Sequence, residues 1–169
     1  MRVLPIRTER LTIRAFTLDD VPAIHAALYA DAVAMHFIGG PHTVERTRQG
    51  IVGYIEHQRH AGYSFWAVEL AETGQVIGEA GLYPMNGTGP DIELGYAFGS
   101  PWWGHGYATE AAGAILRTAF EELAAPRVVA VAKRENAASL HVLDKLGFRN
   151  EGERTAWGIR QLFFVHDRV

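Results

Sequence analysis

Residues 127–132 read RVVAVA, a nearly continuous apolar run with three valines, set directly after Pro126. A run of this kind predicts a strand covered on both faces. The chain on either side predicts helices. Before it, Ala108, Ala111, Ala112, Ile115, Ala119, Phe120 and Leu123 recur at helical spacing. After it, Asn136 is a suitable N-cap for AASLHVLDKL, and Gly147 suits the position just past a helix end. DIELGYAF upstream and the runs Phe148–Glu153 and Trp157–Val165 downstream read as strands, so the second half alternates strand and helix.

The first half continues the mixture. RLTIRAF alternates as a half-buried strand does. A short helix follows Thr17, with Asp19 and Asp20 in its first turn and Ile24 and Leu28 four apart. From Val44 to His60 an amphipathic helix is marked by Val44, Ile51, Val52 and Ile55. SFWAVEL and GQVIGEAGLY form a hairpin about Glu72-Thr73-Gly74, and MNGTGP is a loop. A chain of 169 residues with no repeat suits one mixed α/β domain over residues 1–169.

Composition excludes several functions. A net charge of -3 gives no basic field for generic nucleic-acid binding. Leu94–Thr109 is the longest stretch without Asp, Glu, Lys or Arg, and it is too short and too broken by Gly and Pro to span a membrane. MRVLPIRTER has no apolar segment of the signal-peptide kind, so a cytoplasmic location is expected. The absence of cysteine excludes disulfides, thiolate metal sites and a Cys nucleophile.

Three segments carry chemistry. In SPWWGHGYATEAAG, Gly104 and Gly106 precede a helix; glycine there permits positive φ and close approach, and the first-turn N–H groups form an anion site. A dinucleotide fingerprint fails because Thr109 holds the third glycine position, and no Gly-Lys-Ser/Thr phosphate loop exists. In DIELGYAF, Glu93, Gly95 and Ala97 share one strand face, a carboxylate beside the two smallest residues. That pattern leaves room for a ligand against the backbone, with Glu93 as a base at its edge; a salt-bridged structural glutamate is the alternative. In RENAASLHVLDKLGF, Asn136 as N-cap and Ser139 at N3 open a helix beside the end of a buried strand. His57 and His60 share a helix with Glu56, but the motif of a helical zinc site is absent, and no metal is expected.

Together these segments resemble the GNAT family of N-acetyltransferases. GYAFGSPWWGHGYATEA resembles its motif A, Gln/Arg-x-x-Gly-x-Gly/Ala after a strand, with Trp103 at the Gln/Arg position, Gly106 at the first Gly and Ala108 at the last. ENAASLHVLDKLGF resembles the helix motif that follows, and TERLTIRAFTLDD the opening of the RimJ/RimL group that acetylates protein α-amines. Many members carry a general-acid tyrosine in that last helix; Leu143 stands there, and the RimJ/RimL-like pattern offers Ser139 instead. The resemblance implies a single GNAT-type domain: a mixed, mostly antiparallel sheet of six to seven strands, about four helices, and splayed central strands forming an acetyl-CoA cleft.

It also implies roles. The anion becomes the pyrophosphate of acetyl-CoA, cradled by Trp103, Gly104, His105, Gly106, Tyr107, Ala108 and Thr109. The backbone of Tyr96, Ala97 and Phe98 would pair with the pantetheine arm, with Asn136 and Ser139 on its other side, and an N–H near Tyr96 or Ala97 would hold the oxyanion. Glu93 would act as base, through a water, on a primary amine that attacks the thioester directly, and Ser139 would assist the departing thiolate. An α-amine of pKa about 7.7–8.0 suits a weak base better than a lysine near 10.4. The expected acceptor is a protein or peptide α-amine; a small amine or antibiotic, or a non-catalytic acyl-CoA sensor, are the alternatives. The partners are acetyl-CoA and the acceptor, with neither nucleic acid nor membrane, in a monomer or homodimer.

Overall fold

The computed structural model describes residues 4–169, so Met1–Val3 of the segment read for a leader lie outside it. Eight strands form one sheet in the order β1-β2-β3-β4-β5-β6-β8-β7. They are β1 (Ile6–Arg7), β2 (Leu11–Arg14), β3 (Phe65–Leu70), β4 (Val76–Pro84), β5 (Ile92–Phe98), β6 (Arg127–Ala132), β7 (Arg149–Ala156) and β8 (Ile159–Asp167). The helices are α1 (Val21–Ile24), α2 (Val44–Ala61), α3 (Tyr107–Glu121) and α4 (Ala137–Lys145). The strand beyond the expected six to seven is β1, two residues paired to Ile13 and Thr12. Two residues are too few to show a period in sequence.

The strand alternation builds three layers. Trp66, Val68, Ile77, Leu82, Leu94 and Phe98 join Ala111, Ala112 and Ile115 of α3 and Val142 and Leu143 of α4 in one core. Ala67 and Val76 join Ile24, Leu28, Met35 and Ile51 in a second. The apolar run RVVAVA is β6, with Val128 and Val129 fully buried in clusters on the two sides of the sheet. Val44, expected on the apolar face of α2, is exposed; Ile51 is fully buried. The helix expected after Thr17 is divided: a 3-10 turn at Leu18–Asp20, α1, then a π turn at His25–Tyr29. Asp20 there accepts the Thr17 N–H at 2.8 Å and is paired with Arg14 at 2.8 Å.

All neighbouring strands are antiparallel except β5 and β6, which are parallel and share two registered pairs, Ile92↔Val128 and Glu93↔Val129. At the closed end of this junction Arg127 grips Asp91 through two bonds of 2.7 and 2.8 Å. Beyond Glu93 the strands part, and the β5 edge from Leu94 to Phe98 faces a gap. The splayed central strands implied by the family resemblance are present.

Candidate active site

At the far end of that gap the chain leaves β5 and turns into α3. Gly104 and Gly106 both have φ of +79°, the left-handed region that glycine enters without strain. A Cβ on Gly104 would meet nothing within 4 Å, so backbone angle and not crowding selects glycine there. The first helix bond runs from the Glu110 N–H to the Gly106 carbonyl at 3.0 Å. The N–H groups of residues 104–109 donate to no acceptor among the described residues. Trp103 donates its indole N–H to the Phe98 carbonyl at 2.8 Å, and Trp102 packs on the core, so the two tryptophans hold the turn against β5.

Arg10, which the sequence reading did not single out, braces the same turn. Its Nε donates to Glu110 Oε2 at 2.7 Å and its Nη1 to the His105 carbonyl at 2.8 Å, and its guanidinium lies 4.6 Å from the Tyr107 ring centre. A carboxylate in the first turn of α3 would by itself oppose an anion at the helix N-terminus. Partial burial works to raise the Glu110 pKa, but hydrogen bonds from Thr8 and Arg10 hold it below the usual range, and Arg10 offsets its charge.

Tyr96 and Ser139 meet across the gap. The Tyr96 hydroxyl is 3.0 Å from Ser139 Oγ and donates to the Ser139 carbonyl at 3.2 Å. Burial pushes the Tyr96 phenol up to about 12, so it stays protonated at neutral pH. Asn136 caps α4 by accepting the Ser139 N–H at 3.2 Å, which fixes Ser139 in place. Leu143 is fully in the core and offers no acid.

Glu93 lies on the other face of the sheet. It borders a cavity of about 440 Å³ whose walls include Tyr54, Phe65, Tyr83 and Trp157, with Gly50 and Gly53 of α2 above. Burial pushes its pKa up to about 7, against the opposing effect of the Trp157 indole, which donates to Glu93 Oε2 at 2.6 Å. The open space expected over Gly95 and Ala97 is not there. A Cβ on Gly95 would lie 2.5 Å from Phe65 Cζ, so the glycine makes room for an aromatic ring from β3, and Ala97 packs in the second core. The open space lies beside Glu93 and along the free edge of β5.

Trp157 was expected to begin a strand. It and Gly158 instead form the two-residue turn between β7 and β8, at φ +55° and +80°. Two successive positive φ values give a type I′ hairpin, and the turn aims the indole at Glu93. Asn86 Oδ1 accepts the Trp157 N–H at 2.7 Å and holds the turn in place. Ala-Trp-Gly-Ile, an Xaa-Gly pair between two strand-like runs, was the available signal. The His57 ring packs on Tyr63 and Tyr83, and no group of three potential metal ligands occurs among the described residues.

A parted pair of parallel strands, with N–H groups unpaired among the described residues at a helix start at one end and a perturbed carboxylate at the other, can accommodate an extended anionic ligand and take up a proton beside it. An acetyltransferase (GNAT) domain model matches residues 10–149. The chain belongs to the GNAT acetyltransferase family. It is 30% identical over 152 residues to the uncharacterized N-acetyltransferase YoaA of Bacillus subtilis, over 87% of this chain and 84% of the relative. The GNAT-family acetyltransferase from Bacillus anthracis superposes with a TM-score of 0.83 at 27% identity, over 96% of this chain and 98% of that one. The RimL ribosomal α-N-protein acetyltransferase, solved in complex with coenzyme A, shares the fold with a TM-score of 0.82 at 18% identity, over 97% of each chain. This GNAT protein is therefore an N-acetyltransferase. No helix among its described residues is long and apolar enough to cross a membrane.

Proposed function

We propose that this protein moves the acetyl group of acetyl-CoA to the α-amine of a protein or peptide. The observation that carries the reading is Glu93, a carboxylate near pKa 7 on a groove whose lining holds no second acidic side chain. A groove for a polycationic small amine would need more acidic groups. Proton transfer from an α-amine of pKa about 7.7–8.0 to a base near 7 costs about 1 kcal/mol, whereas a lysine near 10.4 costs between 4 and 5 kcal/mol, roughly.

The donor would lie in the gap between β5 and β6. Its pyrophosphate fits the N–H groups of residues 104–109, which have positive-φ glycines, no protein acceptors and a neutralised Glu110. Its pantetheine arm fits the free edge at Tyr96, Ala97 and Phe98, and a backbone N–H of that edge would face the developing oxyanion. The amine arrives on the Glu93 face, loses its proton to Glu93 through a water, and attacks the carbonyl carbon. The tetrahedral adduct collapses to the amide as the C–S bond breaks, the second amine proton passing to the thiolate, which departs toward the Ser139 and Tyr96 hydroxyls on the opposite face.

Two linked measurements test this. Acetyl-CoA is expected to raise the melting temperature of the wild type, because it binds the folded state only. Gly106→Val is expected to lose that shift, since valine rarely adopts this φ and its Cβ would stand 3.5 Å from Arg10 Nη2, disturbing the turn whose N–H groups would hold the phosphates. Thiol release with a panel of peptides, lysine derivatives and small amines then ranks acceptors. Faster turnover of a lysine side chain or an aminoglycoside than of every α-amine overturns the acceptor class, and so does turnover of small amines with none of any peptide.

A further inference from the structure

The Glu93 cavity does not end at Tyr54. A second cavity, of about 360 Å³, adjoins it and shares Gln49, Gly50 and Tyr54 as walls. The two lie side by side along α2, so that a chain crossing Tyr54 would pass from one to the other as along a groove. At its outer end stand His42 and Arg46, and Arg46 is the only lining side chain of the second cavity with a permanent charge.

These two groups are placed but not used. The His42 ring stacks on Tyr29 at 4.8 Å and its backbone N–H is held by the Tyr29 carbonyl at 2.9 Å. Neither its ring nitrogens nor the Arg46 guanidinium makes a hydrogen bond or ion pair among the described residues. The titratable groups around them are few. His25 packs from the preceding π turn, its Nδ1 2.9 Å from Thr47 Oγ1. Glu79 lies behind Tyr29, and both its oxygens are engaged by the Tyr29 hydroxyl. Partial burial and the Arg46 charge hold the His42 pKa below its ordinary value, as expected of an imidazole facing a cation with no anion between them.

Building on the α-amine reading above, we propose that the groove selects acceptors with an acidic side chain near the amino terminus, the anionic group docking between His42 and Arg46 while the α-amine faces Glu93. The spacing sets the register. Arg46 and Gly53 are seven residues apart on α2, about 10 Å at 1.5 Å per residue. An extended peptide covers that in roughly three residues. An acidic side chain at the second or third position reaches the outer end; a free amino acid does not.

The test uses capped peptides with no other carboxylate: Ala-Ala-Asp-Ala amide, its Asn counterpart, and a phosphoserine version that separates carboxylate from phosphate recognition. The wild type is expected to favour the Asp or phosphoserine peptide over the Asn peptide by about tenfold in kcat/KM, through KM, with the preference shrinking as salt is added. Arg46→Gln is expected to bring that ratio close to one. Arg46→Glu is expected to invert the preference toward a Lys-containing peptide, a result that a merely structural arginine would not give. If all the peptides are acetylated at similar rates, or the Asp preference survives in Arg46→Gln, the anion subsite is wrong and the α-amine reading stands. If no peptide is acetylated while other amines are, both fall.

Discussion

Glu79 on β4 and Glu93 on β5 point to the same face of the sheet, and burial pushes both up to about 7. Their surroundings differ. Glu79 is 5% exposed and sealed beneath Tyr29, whose hydroxyl lies 2.8 and 2.7 Å from its two oxygens. Glu93 has one donor, Trp157, and an open cavity before it. Ala97, the β5 partner of Glu79, stands four residues from Glu93, about 13 Å along an extended strand. A raised pKa therefore does not identify a base. Access does, and the two carboxylates can be told apart by experiments that read each property separately.

The largest effect is expected from Glu93→Gln. Loss of a general base lowers turnover by about a hundredfold or more, with little change in KM for acetyl-CoA. The rise of kcat/KM with pH through about 7 should vanish in the variant. A retained limb in this variant, or its loss in Glu79→Gln, reverses the assignment.

Glu79→Gln is expected to act on stability instead. Between pH 4.5 and 7 an unfolded chain has released the proton that folded Glu79 keeps, so this group's contribution is full below 4.5 and declines as pH rises to about 7. The slope for one group is at most about 1.4 kcal/mol per pH unit. Melting temperatures at several pH values should show this decline in the wild type, relative to a flatter variant. Histidines such as His42 and His57, whose pKa values burial lowers, contribute with the opposite sign but equally in both proteins. Parallel curves would remove Glu79 as a buried titrating group.

The smallest effect belongs to Trp157→Phe. The indole N–H favours the charged form of Glu93, so its loss should move the pH limb upward, by less than about one unit. A downward move would mean that the ring acts by shielding Glu93 from water more than by donating to it.

What the sequence revealed and what it concealed follow from chain distance. The Gly104–Gly106 turn and the Asn136 cap use residues within a few positions of one another, and both were legible. The alternation of DIELGYAF placed Glu93, Gly95 and Ala97 on one face, but the strand's own pattern does not name what covers that face, and Phe65 fills the space the small residues seemed to leave. The pairs that define the Glu93 and Glu79 environments join residues 64 and 50 positions apart. The Trp157 turn was concealed because an aromatic at positive φ runs against local preference; the Asn86 carbonyl, 71 positions away, accepts its N–H.

The short β5–β6 junction also has a mechanical meaning. An eight-stranded sheet joined across its middle by two registered pairs is two plates on one hinge, with the Asp91–Arg127 grip at its root. Glu93 is one of those two pairs, so it sits on the pin. For any swing of the plates, displacement grows with distance from the pin: Phe98 and the turn beyond it sweep the widest arc, and the backbone of Glu93 moves least.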